Sequence, residues 1–131
     1  SKQLWKNIEA QPNISHGVQV NGHYFGIGDP AKLVCVDIST GKARWSDDSL
    51  FFPDPKRAMA TLIVMGQNIL ALTSGGELCL FEASPKGFNE LGRTQACGIN
   101  WCMPAYVDGW LFVRDGIKKK GGNLICLDLT D

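Results

Sequence analysis

Five cysteines, two histidines and four tryptophans are the side chains through which these 131 residues could hold a metal, form a cross-link or stack on a ligand. Cys97 and Cys102 lie in a loop-like stretch with four residues between them, a spacing open either to a local disulfide or to two free thiols. His16 and His23 form no H-x-x-x-H pair and the chain has no Cys-x-x-Cys, so zinc ligation finds no support and no metal site is assigned. No nucleophile elbow accompanies the serines, and no catalytic residue is assigned. Gly26-Ile27-Gly28 lacks the third glycine and the helix of a dinucleotide fingerprint and reads as a turn. What remains lies in two long connections. Phe51, Phe52, Lys56 and Arg57 in the first, with Asn100 and Trp101 in the second, are the candidates for a ligand face, and the competing reading is that the aromatics cover a rim.

Those connections separate strands. Cys35 to Trp45 reads as strand, turn, strand: β-prone residues run up to Asp37, turn formers reach Gly41, and an extended run ends on Trp45. Turn glycines Gly22, Gly66 and Gly109 stand 44 and 43 residues apart, each before an apolar run, the period of a propeller blade. A cysteine then centres the next strand each time: Cys35, Cys79 and Cys126. Strands are predicted at 17–20, 23–27, 33–37 and 43–45; at 60–64, 68–73, 78–81 and 88–93; and at 103–107, 110–114 and 124–128. No helical periodicity competes, so the class is all-β. The three central cysteines are expected to be small buried hydrophobes. Ile117 to Gly122, with three lysines, is expected to be a solvated hairpin tip.

The Asp37, Thr40, Gly41 and Trp45 spacing resembles the docking motif of quinoprotein-type, or pyrroloquinoline-quinone-like, β-propeller repeats, with Cys35 in the alanine place. From Leu4 to Thr130 the chain is similar to such repeats, and 103–128 looks like the closing blade of BamB-like bacterial proteins. The resemblance implies that Trp45 packs between blades. It also implies a C-terminal three-blade portion of a larger protein, located in the periplasm, at the outer membrane or outside the cell. The second blade lacks the Thr-Gly turn and the tryptophan. Dehydrogenases of the family hold pyrroloquinoline quinone (PQQ) and a divalent metal beside adjacent cysteines. No Cys-Cys pair exists here, so no cofactor is expected and Trp101 with Cys102 is a weak stand-in for a cap.

Asp128 stands to Trp5 as Asp37 does to Trp45, eight residues apart, if the sequence is joined head to tail. The expected organisation is therefore a single segment of about three four-stranded antiparallel blades. Residues 1–7 are the outer strand of a split blade, 13–46 and 58–93 are blades, and 102–131 is a blade lacking the outer strand that the N-terminal stretch completes. Three blades cannot close a ring, since closed propellers have about four to eight. The partners expected are the other blades of a longer protein or a second copy, giving a six-bladed dimer by strand exchange, with a protein or saccharide ligand unassigned. Thirteen basic residues balance thirteen acidic ones without a basic stripe, which argues against nucleic acid. No apolar run approaches the roughly 18 residues of a membrane span. The function expected is a non-catalytic binding or assembly scaffold; the alternatives are part of a quinone-dependent dehydrogenase or a carbohydrate-binding propeller.

Overall fold

The computed structural model describes residues 1–10, 15–28, 30–51, 59–116 and 122–130. Three antiparallel sheets follow one another along the chain. The first is β1 (Val18–Val20), β2 (His23–Gly28), β3 (Lys32–Asp37) and β4 (Ala43–Asp47). A single 3-10 turn, Ser49–Phe51, precedes the second: β5 (Ala60–Met65), β6 (Asn68–Thr73), β7 (Glu77–Glu82) and β8 (Glu90–Gln95). The third holds β9 (Ala105–Val107), β10 (Trp110–Asp115) and β11 (Asn123–Asp128). In each the strands pair in chain order, as successive hairpins dictate. The predicted strands all form, most of them a residue or two longer than expected. The one from 88 to 93 starts and ends two residues later, because Phe88 turns into the core before the ladder begins.

Two faces result from the period-two alternation of side chains. In the first sheet a leading face carries Val18, Val20, Phe25, Ile27, Leu33, Cys35 and Trp45, and a trailing face carries Tyr24, Val34 and Val36. The leading face packs on the trailing face of the second sheet, where Ala60, Leu62, Ile69, Ala71, Cys79 and Phe81 are buried with the crossing residues Leu50 and Phe51. The leading face of the second sheet, with Leu70, Leu72 and Leu78, packs in turn on Leu111, Val113, Ile125 and Leu127 of the third. Central strands covered on both sides therefore read as unbroken apolar runs, as Leu33-Val34-Cys35-Val36 does.

The repeat aligns differently from the glycines. Val20 pairs with His23, Met65 with Asn68 and Val107 with Trp110, so the turns are Asn21-Gly22, Gly66-Gln67 and Asp108-Gly109. Three hydrogen bonds confirm it: Ile38 N–H donates to Gly22 O, Ala83 N–H to Gln67 O and Leu129 N–H to Gly109 O. The equivalent of Cys35 is thus Leu80 in the second sheet and Cys126 in the third. Cys79 is one step away on the opposite face, so the expectation of one cysteine at one repeat position is corrected. Cys35 and Cys79 are fully buried, and the loss of water pushes each thiol up to about 11. Cys126 is exposed, contrary to expectation, on the face that carries Trp110 and Leu124.

The N-terminal stretch stands apart from the three sheets. Within one chain residues 1–7 join no sheet, and β11 has no neighbour on its outer side among the described residues. Instead the stretch lies on the first sheet, with Trp5 against Gly41 and the Glu9 carbonyl against Gly28.

Arg93 fastens the first crossing. Its Nη1 donates to Leu50 O at 3.0 Å and Nη2 to Ser49 O at 3.4 Å, while Glu90 accepts from Nε and Nη2 at 3.1 and 3.0 Å and Glu77 lies 3.5 Å from Nη1. The guanidinium pairing also lowers the Glu90 carboxyl, and Glu90 in turn raises Arg93. Arg93→Ala strips the donor from two carbonyls and leaves Glu77 and Glu90 facing each other. Charge-assisted bonds of this kind contribute about 1.5–3 kcal/mol, and a loss in that range is expected in urea unfolding, with Arg93→Lys recovering part of it.

Candidate functional site: the sheet-to-sheet docking turns

The docking geometry begins with a carboxylate. Asp37 Oδ1 accepts from Ser39 N–H at 2.8 Å, Ser39 Oγ at 2.6 Å and Thr40 N–H at 3.2 Å, and Gly41 N–H closes the turn on Asp37 O at 2.8 Å. Thr40 Oγ1 accepts from Lys42 N–H at 3.3 Å. Gly41 has φ +72°, and a Cβ there would stand 2.5 Å from the Trp5 ring. Only glycine satisfies both the conformation and the contact. Trp5 lies over this platform and donates Nε1–H to Ile38 O at 2.7 Å, while Asn7 Nδ2 donates to Gly41 O at 2.8 Å.

One sheet later the pattern recurs. Trp45 donates Nε1–H to Ser84 O at 2.8 Å, with its ring between Phe25 at 6.2 Å and Phe88 at 6.4 Å, and Phe81 continues the stack 5.3 Å from Phe88. The indole thus has an apolar body in the core and a polar tip satisfied by a turn carbonyl. At the third turn Asp128 Oδ1 accepts from Thr130 N–H at 2.9 Å and Thr130 Oγ1 at 2.6 Å, the arrangement seen at Asp37. The matching residue on β8 is Gly92, opposite Leu80 as Trp45 is opposite Cys35, and no atom lies within 4 Å of where its Cβ would be. The docking tryptophan is missing from the second seam, and its place is open.

The residues expected at a ligand face do not gather. Phe51 is buried in the core between the first two sheets, which corrects its assignment as a stacking platform: the 3-10 turn rolls its ring inward beside Leu50. Phe52, Lys56 and Arg57 lie outside the described residues, as do Ile117 to Gly121 of the expected hairpin tip. Asn100 is buried and spent on structure, its Nδ2 donating to Thr73 O at 3.3 Å and Cys97 Sγ at 3.4 Å and its N–H to Ser74 O at 3.0 Å. Trp101 is 64% exposed. Cys97 and Cys102 are free thiols with different partners, Asn100 for the first and Arg114 Nη1, 3.6 Å away, for the second, so no disulfide joins them. Burial is the main cause that raises the Cys97 thiol.

Among the described residues these placements assemble no ligand set for a divalent metal. The Asn100 amide is turned into the protein, Asp115 Oδ1 is occupied by Gly98 N–H at 2.8 Å, and no group of three His, Cys, Asp or Glu could hold a metal among the described residues. Arg93 is the residue that sequence reasoning missed. Glu90 three positions before it was a visible signal, but its reach to Ser49 and Leu50 depends on a register shift in β7 and β8.

Antiparallel sheets of three and four strands, packed face to face in chain order with indoles seated on turns, define a segment of β-propeller fold. Two solved propellers share the architecture. BamB from Moraxella catarrhalis superposes with a TM-score of 0.61 at 15% identity, over 87% of this chain and 33% of that one. Quinohemoprotein alcohol dehydrogenase from Comamonas testosteroni gives 0.65 at 14%, over 96% of this chain and 21% of that one. The chain thus spans a third or less of the solved chains it resembles. No protein-family model matches it, and no curated protein does.

Two expectations follow from the docking turns. Gly92→Trp supplies the missing indole and should stabilise the chain by about 0.5–2 kcal/mol in urea unfolding, more than Gly92→Val, which adds strand propensity alone. Equal gains would show that the open place is no docking site. Asp37 titrates below the ordinary value of about 3.9, chiefly because Ser39 Oγ–H bonds its charged form. A carboxyl lowered by folding stabilises above its unfolded value and ceases to as pH falls through the folded one. The urea midpoint of Asp37→Asn should therefore fall less steeply below about pH 4 than that of the parent chain.

Proposed function

We propose that this chain is a non-catalytic binding and assembly unit of a propeller, working by joining its blades to further blades. The observation that carries this reading is the leading face of the third sheet. Val107 is 55%, Trp110 44% and Leu124 75% exposed, with Cys126 also exposed beside them. Their equivalents in the first sheet, Val20, His23, Leu33 and Cys35, include three side chains buried against the second. A surface of that composition is one built to be covered. Its partners on this reading are further blades, from the rest of a longer protein or from another copy, at the periplasmic, outer-membrane or secreted location that the resemblance implies.

The second reading, a piece of a quinone-dependent dehydrogenase, is favoured by the alcohol dehydrogenase among the solved propellers of like fold. The carbohydrate-binding reading loses the Phe51 platform to the core. Adding PQQ and calcium to the chain and following the quinone absorption separates the first two. No stoichiometric uptake is expected. Tight one-to-one uptake with dye-linked alcohol oxidation would overturn the scaffold reading.

A further inference from the structure

The turn Asn21-Gly22 joins the paired residues Val20 and His23 and stands outside the ladder that they close. We propose that Asn21 is a site of spontaneous covalent modification, where its side-chain amide becomes a carboxylate through a cyclic imide formed with the backbone of Gly22.

This chemistry needs an asparagine amide, a following backbone nitrogen with little around it, and water. Asn21 alone of the chain's seven asparagines precedes a glycine; the others precede isoleucine, glutamate, tryptophan or leucine. Side chains at those positions shield the attacking nitrogen, whereas glycine has no Cβ. Asn21 and Gly22 are both exposed, and no atom lies within 4 Å of where a Gly22 Cβ would stand. In the first step Gly22 N attacks Asn21 Cγ. The N–Cγ bond forms, the Cγ–Nδ2 bond breaks, and Nδ2 leaves as ammonia with the proton from Gly22 N. Water then opens the imide. Opening at Cγ leaves aspartate on the original main chain, and opening at the Asn21 carbonyl carbon leaves isoaspartate, with the main chain running through Cβ and Cγ. No oxidant enters.

The third sheet shows that the turn accepts the first product. Asp108-Gly109 makes the same connection between Val107 and Trp110, with φ +47° and +84° against +47° and +76° at Asn21 and Gly22. Across the seam to the second sheet Asn21 Nδ2 donates to Gln67 Oε1 at 2.6 Å. A carboxylate at position 21 loses that donor, but the Gln67 amide can turn over and donate in its place. The aspartate form therefore keeps the link and adds a negative charge to the rim between the first two sheets. Isoaspartate differs. Its extra main-chain carbon lengthens a two-residue turn whose length sets the hairpin register, including His23 opposite Asp37. Modification thus yields one form that preserves the fold and one that loosens the first hairpin.

The test is to age the folded 131-residue chain at mildly alkaline pH and body temperature. Peptide mapping by mass spectrometry should place the amide-to-acid mass gain at Asn21, about tenfold ahead of any other asparagine, because only its neighbour lacks a Cβ. The rate should rise with pH, since the attacking nitrogen must shed its proton. An isoaspartyl methyltransferase with a labelled methyl donor should then mark the peptide that carries position 21. That peptide should stay unmarked in Asn21→Gly, a change the turn accepts and that removes the amide. Asn21→Asp should keep the circular dichroism and urea midpoint of the parent. Conversion no faster at Asn21 than at the other asparagines, or conversion only after urea has unfolded the chain, would overturn the assignment. Either result is separate from quinone uptake, which alone bears on the scaffold reading.

Discussion

An indole N–H seated on the turn of the following sheet is the contact on which the arrangement depends. A sheet whose faces both carry large apolar side chains has no preferred angle to its neighbour from burial alone, since the hydrophobic effect is non-directional. The hydrogen bond from Trp45 to Ser84 O, held by a stack of four aromatic rings, supplies direction. The same logic explains why Gly41 must be bare and why Asp37 gathers three donors: the turn has to be a rigid, close-lying platform before an indole can dock on it.

From that contact the division of labour among residues follows. Arg93 does for the crossing what tryptophan does for the turn, binding carbonyls that would otherwise lie half-buried without donors. Asn100 does the same at the next crossing through Thr73 and Cys97. Polar side chains that looked available for ligands are consumed in fixing how one blade follows another. The described surface carries exposed apolar side chains on the third sheet, among them Val107, Trp110 and Leu124.

Much of this was readable in the chain before any coordinates. Strand positions were legible because turn residues and β-branched runs alternate at a steady period, and the Asp37 to Trp45 motif fixed the docking partner types. The repeat register was not. Gly66 takes the first turn position whereas Gly22 and Gly109 take the second, and a slip of one residue moves a strand's whole side-chain set to the other face. That slip is why Cys79 resembles Cys35 in sequence and faces it from the neighbouring sheet in space. Phe51 was misplaced for a different reason: charges and prolines around it suggest an exposed loop, and only the 3-10 turn sends the ring inward. Burial of Asn100 rests on contacts across more than 25 residues, which no local pattern carries.

The bare position at Gly92 has a mechanical meaning. Two seams join the three sheets: the first buries more apolar side chains and is riveted by an indole and an arginine, while the second relies on a smaller buried cluster and the Asn100 crossing. Proteins open in cooperative pieces, and the piece with the fewest fixed contacts opens first. The third sheet is therefore a leaf on a softer hinge, able to swing before the first two part. In a ring, that softness would decide where the circle admits a newcomer.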